Sequence, residues 1–170
     1  KTYKKFNGNK TAEIGYPIQS MDFIDYENNK VLSVGPRNEG ELFFIKSMGF
    51  RWHNIFALDL LSYSPKIQLG DIHKTNYEEN TFNVIFCGWV LRYSDNFEKI
   101  LKEMLRIAKN GAVISIGFTY YPDKFRQLYT TDQIIQFYKE NISNVYFNFD
   151  AYKKKEEGKR HSIIILKIKK

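Results

Sequence analysis

The chain has 170 residues, 43% of them hydrophobic, which is enough for one domain with a substantial core. We expect neither a membrane span nor a signal peptide, since no apolar run approaches the ~18 residues of a span. A single cysteine, Cys87, excludes an internal disulfide framework and favours a reducing, cytoplasmic location. No metal site is predicted, because the three histidines stand far apart in sequence.

The net charge of +7 is concentrated near the C-terminal end. Residues 151–170 hold eight Lys or Arg and two Glu, a net +6, which leaves +1 for the other 150 residues. This distribution argues against a basic surface spread over the whole chain, as nucleic-acid-binding domains often present. The basic stretch 153–160 is predicted to be a solvated loop, with a phosphate-binding loop as the alternative.

The N-terminal part precedes the first predicted strand. Residues 1–29 are polar with scattered aromatic side chains, and we expect a loose arm or lid with a short helix over 18–25. The remainder, residues 30–170, is predicted to form a single domain.

The first strand, over 31–34, a tight turn and the start of a helix are predicted within residues 30–41, which read K-V-L-S-V-G-P-R-N-E-G-E. The apolar run stops at Gly35 and Pro36, as a buried strand does where it leaves a sheet. Asn38 is a predicted helix cap, and Glu41 stands three places later, in the capping-box position. Such a unit brings a helix N-terminus against a bound ligand.

Six further strands and three helices follow from apolar periodicity. The strands are predicted over 54–60, 66–69, 82–87, 112–118, 145–149 and 162–168. The helices are predicted over 39–48, from a cap at Ser94 or Asp95 to a turn at 109–111, and from Thr130 or Thr131 to about 139. The order indicates an α/β fold: a mostly parallel seven-stranded sheet with a C-terminal antiparallel hairpin and helices on both faces.

Polar residues follow four of these strands, where an open parallel sheet binds its ligands. Asp59 has two oxygens that can accept from ribose hydroxyls; its alternative is a solvated acid at a strand end. Asp71 can accept from an amino group of a base or cap the following turn. Trp89, after Gly88, can stack on a purine or belong to the core.

Five motifs follow one another over residues 30–118: V-L-S-V-G-P-R-N-E-G-E, A-L-D-L, L-G-D-I-H, T-F-N-V-I-F-C-G-W-V-L-R-Y-S-D and E-M-L-R-I-A-K-N-G-A-V-I-S-I. Their order and spacing resemble the class I S-adenosylmethionine-dependent methyltransferases, and most closely the small-molecule branch. The resemblance implies a Rossmann-like sheet with a reversed seventh strand and S-adenosylmethionine as cofactor. It also implies O- or N-methylation of a small acceptor, such as a sugar or other metabolite.

The same resemblance implies roles for nine residues: Gly35, Pro36 and Arg37 under the methionyl part of the cofactor, Asp59 with its neighbour Leu60 at the ribose, Asp71 and Ile72 at the adenine, and Gly88 and Trp89 near the sulfonium. The chain also departs from the family. Ser33 stands where an acid usually helps to bind the cofactor's amino group, and Arg37 replaces the second loop glycine. Arg37 can compensate by pairing with the cofactor carboxylate, or it can obstruct the pocket.

No motif places a general base, and Tyr93 is the candidate acid–base group. The predicted acceptor contacts, with packing as their alternative, are Arg92, Tyr93, Tyr120 and Tyr121. Two other functions stay open: a nucleic-acid methyltransferase that uses the 153–160 loop, and a degenerate methyltransferase-like binding or scaffold domain. A nicotinamide dehydrogenase is disfavoured by the missing second glycine and the reversed final hairpin. The oligomeric state is left open.

Overall fold

A computed structural model describes residues 10–120, 130–152 and 160–170. Within these ranges the strands form one seven-stranded sheet in the order β3-β2-β1-β4-β5-β7-β6. The strands are β1 (Val31–Val34), β2 (Ile55–Asp59), β3 (Gln68–Leu69), β4 (Phe82–Gly88), β5 (Ala108–Tyr120), β6 (Ile142–Tyr152) and β7 (Arg160–Ile168). β7 runs antiparallel to both neighbours, and the pairs among β1 to β5 are parallel. The predicted sheet is confirmed.

Helices cover both faces of the sheet, as predicted. They are α1 (Lys10–Gly15), α2 (Glu39–Ser47), α3 (Phe97–Ile107) and α4 (Thr131–Phe137). Apolar side chains of α1 and α2 share one buried cluster with the sheet, and those of α3 and α4 share another on the opposite face. In the three described ranges, no helix is long and apolar enough to cross a membrane.

The first helix lies earlier than predicted. The structure has α1 followed by a 3₁₀ turn at Tyr16–Ser20, whereas the sequence predicted a helix over 18–25. Ile14 and Ile18, four residues apart, are both fully buried against the sheet. Tertiary burial of this pair, rather than local propensity, sets the position of the helix.

The predicted ends of the third helix were also wrong. Asn96 is the cap, not Ser94 or Asp95, and its side chain accepts from the Lys99 amide at 3.0 Å. The helix ends at Ile107, and β5 begins at once with a bulge that contains Gly111 at φ +80°. The positive charge and glycine at 109–111 therefore belong to the irregular start of a strand.

Candidate functional site

A cleft opens at the carboxyl ends of β1, β2 and β4. The cleft has a volume of about 240 Å³, just below the range of about 300–1,000 Å³ that is usual for small-molecule sites. Eight of the nine residues that the sequence assigned to a cofactor line it: Gly35, Arg37, Asp59, Leu60, Asp71, Ile72, Gly88 and Trp89. Pro36 is not among the described residues that line the cleft.

The turn after β1 requires a glycine. Gly35 has φ +70°, and its amide donates to the Leu58 carbonyl at 2.8 Å. A Cβ at this position would lie 2.3 Å from Cγ2 of Val90, which is closer than side-chain carbons approach. The turn thus packs directly against the segment after β4, and both segments border the cleft.

The start of α2 brings a carboxylate to the cleft. Asn38 caps the helix as predicted, accepting from the Gly40 amide at 2.9 Å. Glu41 does not close a capping box: its side chain, 7% exposed, accepts from Arg37 Nε at 2.9 Å and from Thr11 Oγ1 at 2.5 Å. A buried carboxylate needs such partners, since an unpaired buried charge is costly.

Two cations accompany this carboxylate. Lys10 and Arg37 both line the cleft beside Glu41. Burial lowers the pKa of Lys10, and the charges of Arg37 and Arg92 lower it further, against the opposing effect of Glu41. Lys10 Nζ lies 5.5 Å from the centre of the Trp89 ring. This end of the cleft therefore offers both signs of charge within a small space.

Two more carboxylates line the cleft, at the end of β2 and just after β3. Asp59 ends β2, and its Oδ1 accepts from the Leu61 amide at 3.2 Å. Asp71 Oδ1 accepts from the His73 amide at 2.9 Å and lies 2.6 Å from His73 Nδ1. The hydrogen bond from the His73 amide, more than the one from its ring, lowers the pKa of Asp71, although partial burial opposes it. Asp71 is thus held as a carboxylate.

His73 links Asp71 to Ser94. Its Nε2 lies 2.6 Å from Ser94 Oγ, and Ser94 Oγ also accepts from the Asn96 amide at 3.0 Å. Asp71, His73 and Ser94 all line the cleft. The chain of hydrogen bonds joins the loop after β3 to the loop before α3.

Trp89 belongs partly to the core. It is 5% exposed, its backbone has φ +61°, and its indole N–H donates to Thr119 Oγ1 at 2.9 Å. The ring lies against Gly117, where a Cβ would come within 2.9 Å of it, and 5.2 Å from the ring of His161. A left-handed backbone is unfavourable for a bulky residue, and such strain concentrates at functional sites.

The predicted acceptor residues are only partly brought together. Tyr93 lies at the cleft, 66% exposed, with the Arg92 guanidinium 4.5 Å from its ring centre. Arg92 and Tyr120 are not among the described residues that line the cleft, and Tyr121 lies outside the described residues. Their roles stay predictions.

Sequence reasoning missed four polar residues of the cleft: Lys10, Glu41, His73 and Ser94. Lys10 was assigned to the arm, and Glu41 and Ser94 to helix caps. His73 was considered as one of three widely separated histidines. The motif L-G-D-I-H did contain a signal, because a histidine two places after an acid at a strand end can hydrogen-bond to that acid.

Comparison with known proteins agrees with this fold. The family model for the methyltransferase domain matches residues 51–116, which run from just before β2 into β5. Over this stretch the chain is similar to methyltransferase domains, which supports its resemblance to the class I S-adenosylmethionine-dependent methyltransferases. The matched stretch includes Asp59, Asp71 and Gly88 of the cleft.

One curated relative is the malonyl-(acyl-carrier protein) O-methyltransferase of Nitrosospira multiformis, which is 25% identical over 115 residues. The match covers 66% of this chain and 35% of that enzyme. The chain therefore spans about a third of the length of the curated relative it matches.

Solved structures share the fold at low identity. The 1,6-didemethyltoxoflavin-N1-methyltransferase of Burkholderia thailandensis, with its substrate and S-adenosylhomocysteine bound, has a TM-score of 0.67 and 10% identity. That match covers 95% of this chain and 77% of the other. The 4+2 cyclase SpnF has a TM-score of 0.69 and 10% identity, over 94% and 79% of the two chains. Since one neighbour is a cyclase, the fold alone does not decide the reaction.

Proposed function

We propose that this chain binds S-adenosylmethionine in the cleft and transfers its methyl group to a small-molecule acceptor. The observation that carries the proposal is the arrangement of charge. A cluster of both signs stands at the glycine turn, and carboxylates stand at the ends of the next two strands. A ligand with an amino acid at one end and a nucleoside at the other would meet these groups in the same order.

The charged end suits the methionyl part of the cofactor. An amino acid carries one ammonium and one carboxylate, which pair with Glu41 and with Arg37 or Lys10 respectively. Glu41 then supplies the acid that the family usually has at Ser33, which here is a buried hydroxyl. On this proposal Arg37 contributes a cation rather than obstructing the pocket.

The nucleoside part suits the other side of the cleft. A carboxylate such as Asp59 can accept from both ribose hydroxyls, and Asp71 can accept from the amino group of adenine. Ile72, which is buried beside Asp71, provides an apolar surface for the base. These assignments use the residues that the family resemblance implies.

The cofactor supplies an electrophilic methyl group, and this chain supplies position. Methyl transfer is an in-line displacement, in which alignment of the reacting atoms provides most of the acceleration. Gly35 and the bend at Trp89 form the parts of the wall where the methyl donor would lie. An acceptor hydroxyl or amine also needs a base within hydrogen-bond reach, and Tyr93 stays the candidate there.

A small acceptor is favoured by the modest volume of the cleft. It is also consistent with the toxoflavin-type substrate named for the Burkholderia structure. The nucleic-acid alternative depended on residues 153–160, of which 153–159 lie outside the described residues. We propose a cytoplasmic location on the same sequence grounds as before.

Thermal denaturation with S-adenosylhomocysteine tests the proposal. A ligand that binds the native state raises the melting temperature, so saturating S-adenosylhomocysteine should raise it for the unchanged chain. Asp59→Ala should abolish the increase while the variant stays folded, because the ribose loses its acceptor. Asp22→Ala removes an exposed acid that does not line the cleft, and it should leave the increase intact.

Two outcomes would contradict the proposal. If a folded sample shows no increase at millimolar S-adenosylhomocysteine, the chain is a methyltransferase-like scaffold and not an enzyme. If Asp59→Ala keeps the full increase, the cofactor binds elsewhere or without the ribose contact.

A further inference from the structure

The hydrogen-bond chain from Asp71 to Ser94 has a definite direction. A carboxylate only accepts, so His73 Nδ1 carries the proton and donates to Asp71 Oδ1 at 2.6 Å. In the neutral ring Nε2 then accepts from the Ser94 hydroxyl at 2.6 Å. The Ser94 oxygen in turn accepts from the Asn96 amide, next to the first residue of α3. Each donor in this series of hydrogen bonds therefore faces an acceptor.

The hydrogen bonds from His73 restrain one oxygen of Asp71 and leave the other for a ligand. Oδ1 accepts from both the amide and the ring of His73. In the parts of the chain that the structure describes, no group donates to Oδ2. The Asp71 side chain is 55% exposed and borders the cleft, so a ligand can reach Oδ2.

We infer that His73 and Ser94 are positioning residues that orient Asp71 so that the cleft selects a purine with an amino group at its 6-position. The inference rests on the proposed function, because Asp71 matters only if a nucleoside occupies the cleft. A fixed acceptor oxygen binds an amino group and repels the carbonyl oxygen of a 6-oxopurine. Sites built around one hydrogen-bonding group reject analogues that lack it most strongly.

The same three residue types in this order also form the catalytic triads of serine hydrolases. Two features favour positioning over hydrolysis here. First, the Ser94 oxygen already accepts a hydrogen bond from the Asn96 amide, as the oxygen of a serine at a turn commonly does. Second, Asp71 is the most exposed of the three residues, whereas the acid of a catalytic triad is buried. The exposed acid is therefore the member that meets the ligand.

The test compares S-adenosylhomocysteine with its 6-oxo analogue, S-inosylhomocysteine, by isothermal titration of the full chain. The unchanged chain should bind the adenine compound about 10- to 100-fold more tightly, as for a hydrogen bond to a charged group. His73→Gln has an amide near the Nε2 position and cannot donate to Asp71 as Nδ1 does. It should lose most of this preference.

His73→Asn is the matched rescue variant, since its amide nitrogen lies near the position of Nδ1 and can still donate to Asp71. It should keep most of the preference for adenine, even if its melting temperature falls as far as that of His73→Gln. Ser94→Ala should reduce the preference, and Ser94→Thr, which keeps a hydroxyl, should restore it. A merely structural role for His73 would change stability without changing the ratio of the two affinities.

The outcomes separate this inference from the proposed function. If the unchanged chain binds neither compound, both proposals fail. If it binds S-adenosylhomocysteine but His73→Gln keeps the full preference, only the positioning role is overturned. The unchanged protein can also be tested for hydrolysis of a p-nitrophenyl ester. If Ser94→Ala abolishes that hydrolysis but leaves the preference for the adenine compound unchanged, Asp71, His73 and Ser94 serve hydrolysis, and the positioning role is overturned.

Discussion

Gly35 is the residue at which the shape of the cleft and the stability of the fold meet. Its left-handed backbone disfavours any side chain, and Val90 leaves no room for a Cβ. Gly35→Ala should therefore lower the free energy of unfolding by about 2–4 kcal/mol, from backbone strain plus overpacking. It should also weaken S-adenosylhomocysteine binding, because the turn or Val90 must move. Urea denaturation and isothermal titration measure the two effects.

Gly111 provides the matched control for this prediction. Its φ of +80° is similar, but an added Cβ would meet nothing within 4 Å. Gly111→Ala should cost only about 1–2 kcal/mol from the backbone, and it should leave ligand binding unchanged. Equal costs for the two variants would show that contact with Val90 is unimportant.

Individual side chains of the site were predictable to different degrees. Asp59 and Asp71 could be found from sequence because each stands at the end of a predicted strand, and the carboxyl ends of parallel strands meet at one edge of a sheet. The partner of Arg37 could not be found in this way. Whether that side chain reaches Glu41 or another group depends on rotamers and on Thr11 from a separate helix.

At the scale of elements, α3 is tied to the loop after β3 by Glu103. Its carboxylate accepts from the Thr75 amide and hydroxyl at 2.8 and 2.7 Å and from Arg106 Nε at 2.8 Å. Burial alone would raise the pKa of Glu103, but the hydrogen bonds from Arg106 and Thr75 outweigh it and lower the pKa to about 2. The native state therefore favours the ionised form.

This lowered pKa predicts how stability depends on pH. The folded pKa is below the unfolded one, so the stabilisation is present above about pH 4.5 and is lost as pH falls toward 2. Glu103→Gln should reduce the free energy of unfolding by about 2 kcal/mol at pH 7, after allowance for solvent screening near Arg106. The difference between variant and unchanged chain should shrink as pH falls below 4.5.

Urea denaturation at several pH values checks this prediction. Glu98→Gln changes an exposed acid on the same helix and should have little effect at any pH. A destabilisation by Glu103→Gln that is as large at pH 2.5 as at pH 7 would mean that lost packing, not lost charge, is responsible.

The elements themselves were largely predictable, and their ends were not. Periodic apolar residues identified α3 and the neighbouring strands, because burial of one face imposes that period. The point at which α3 stops depends on Ala108 pairing with Phe82 of β4, a contact between separate parts of the chain. Local signals at Gly111 suggested a helix end that this pairing overrides.

At the scale of the whole molecule, the reversed seventh strand and most of the cleft lining followed from the family resemblance, but four polar residues of the cleft did not. Lys10 from α1 and Ser94 from the loop before α3 enter one space only after the sheet is assembled. No spacing in the sequence encodes a contact such as that between His73 and Ser94. Contacts of this kind depend on loop paths, which sequence patterns describe least well.

The helix α1 connects the stability of the whole fold to the cleft. Ile14 is fully buried, its carbonyl accepts from Ser115 Oγ at 2.7 Å, and an added Cβ on Gly117 would lie 2.7 Å from its Cγ2. The same helix carries Lys10 and Thr11 to the charged end of the cleft. Loosening α1 should therefore affect folding and ligand binding together.

Ile14→Ala tests this coupling against Ile134→Ala, which removes the same atoms from a fully buried site on the opposite face. Each should lower the free energy of unfolding by about 2–5 kcal/mol, the usual cost of a cavity of this size. Only Ile14→Ala should also weaken S-adenosylhomocysteine binding, measured by isothermal titration at a temperature where both variants are folded. Equal weakening in both variants would indicate a general loss of rigidity. No weakening in Ile14→Ala would mean that α1 packs on the sheet without organising the site.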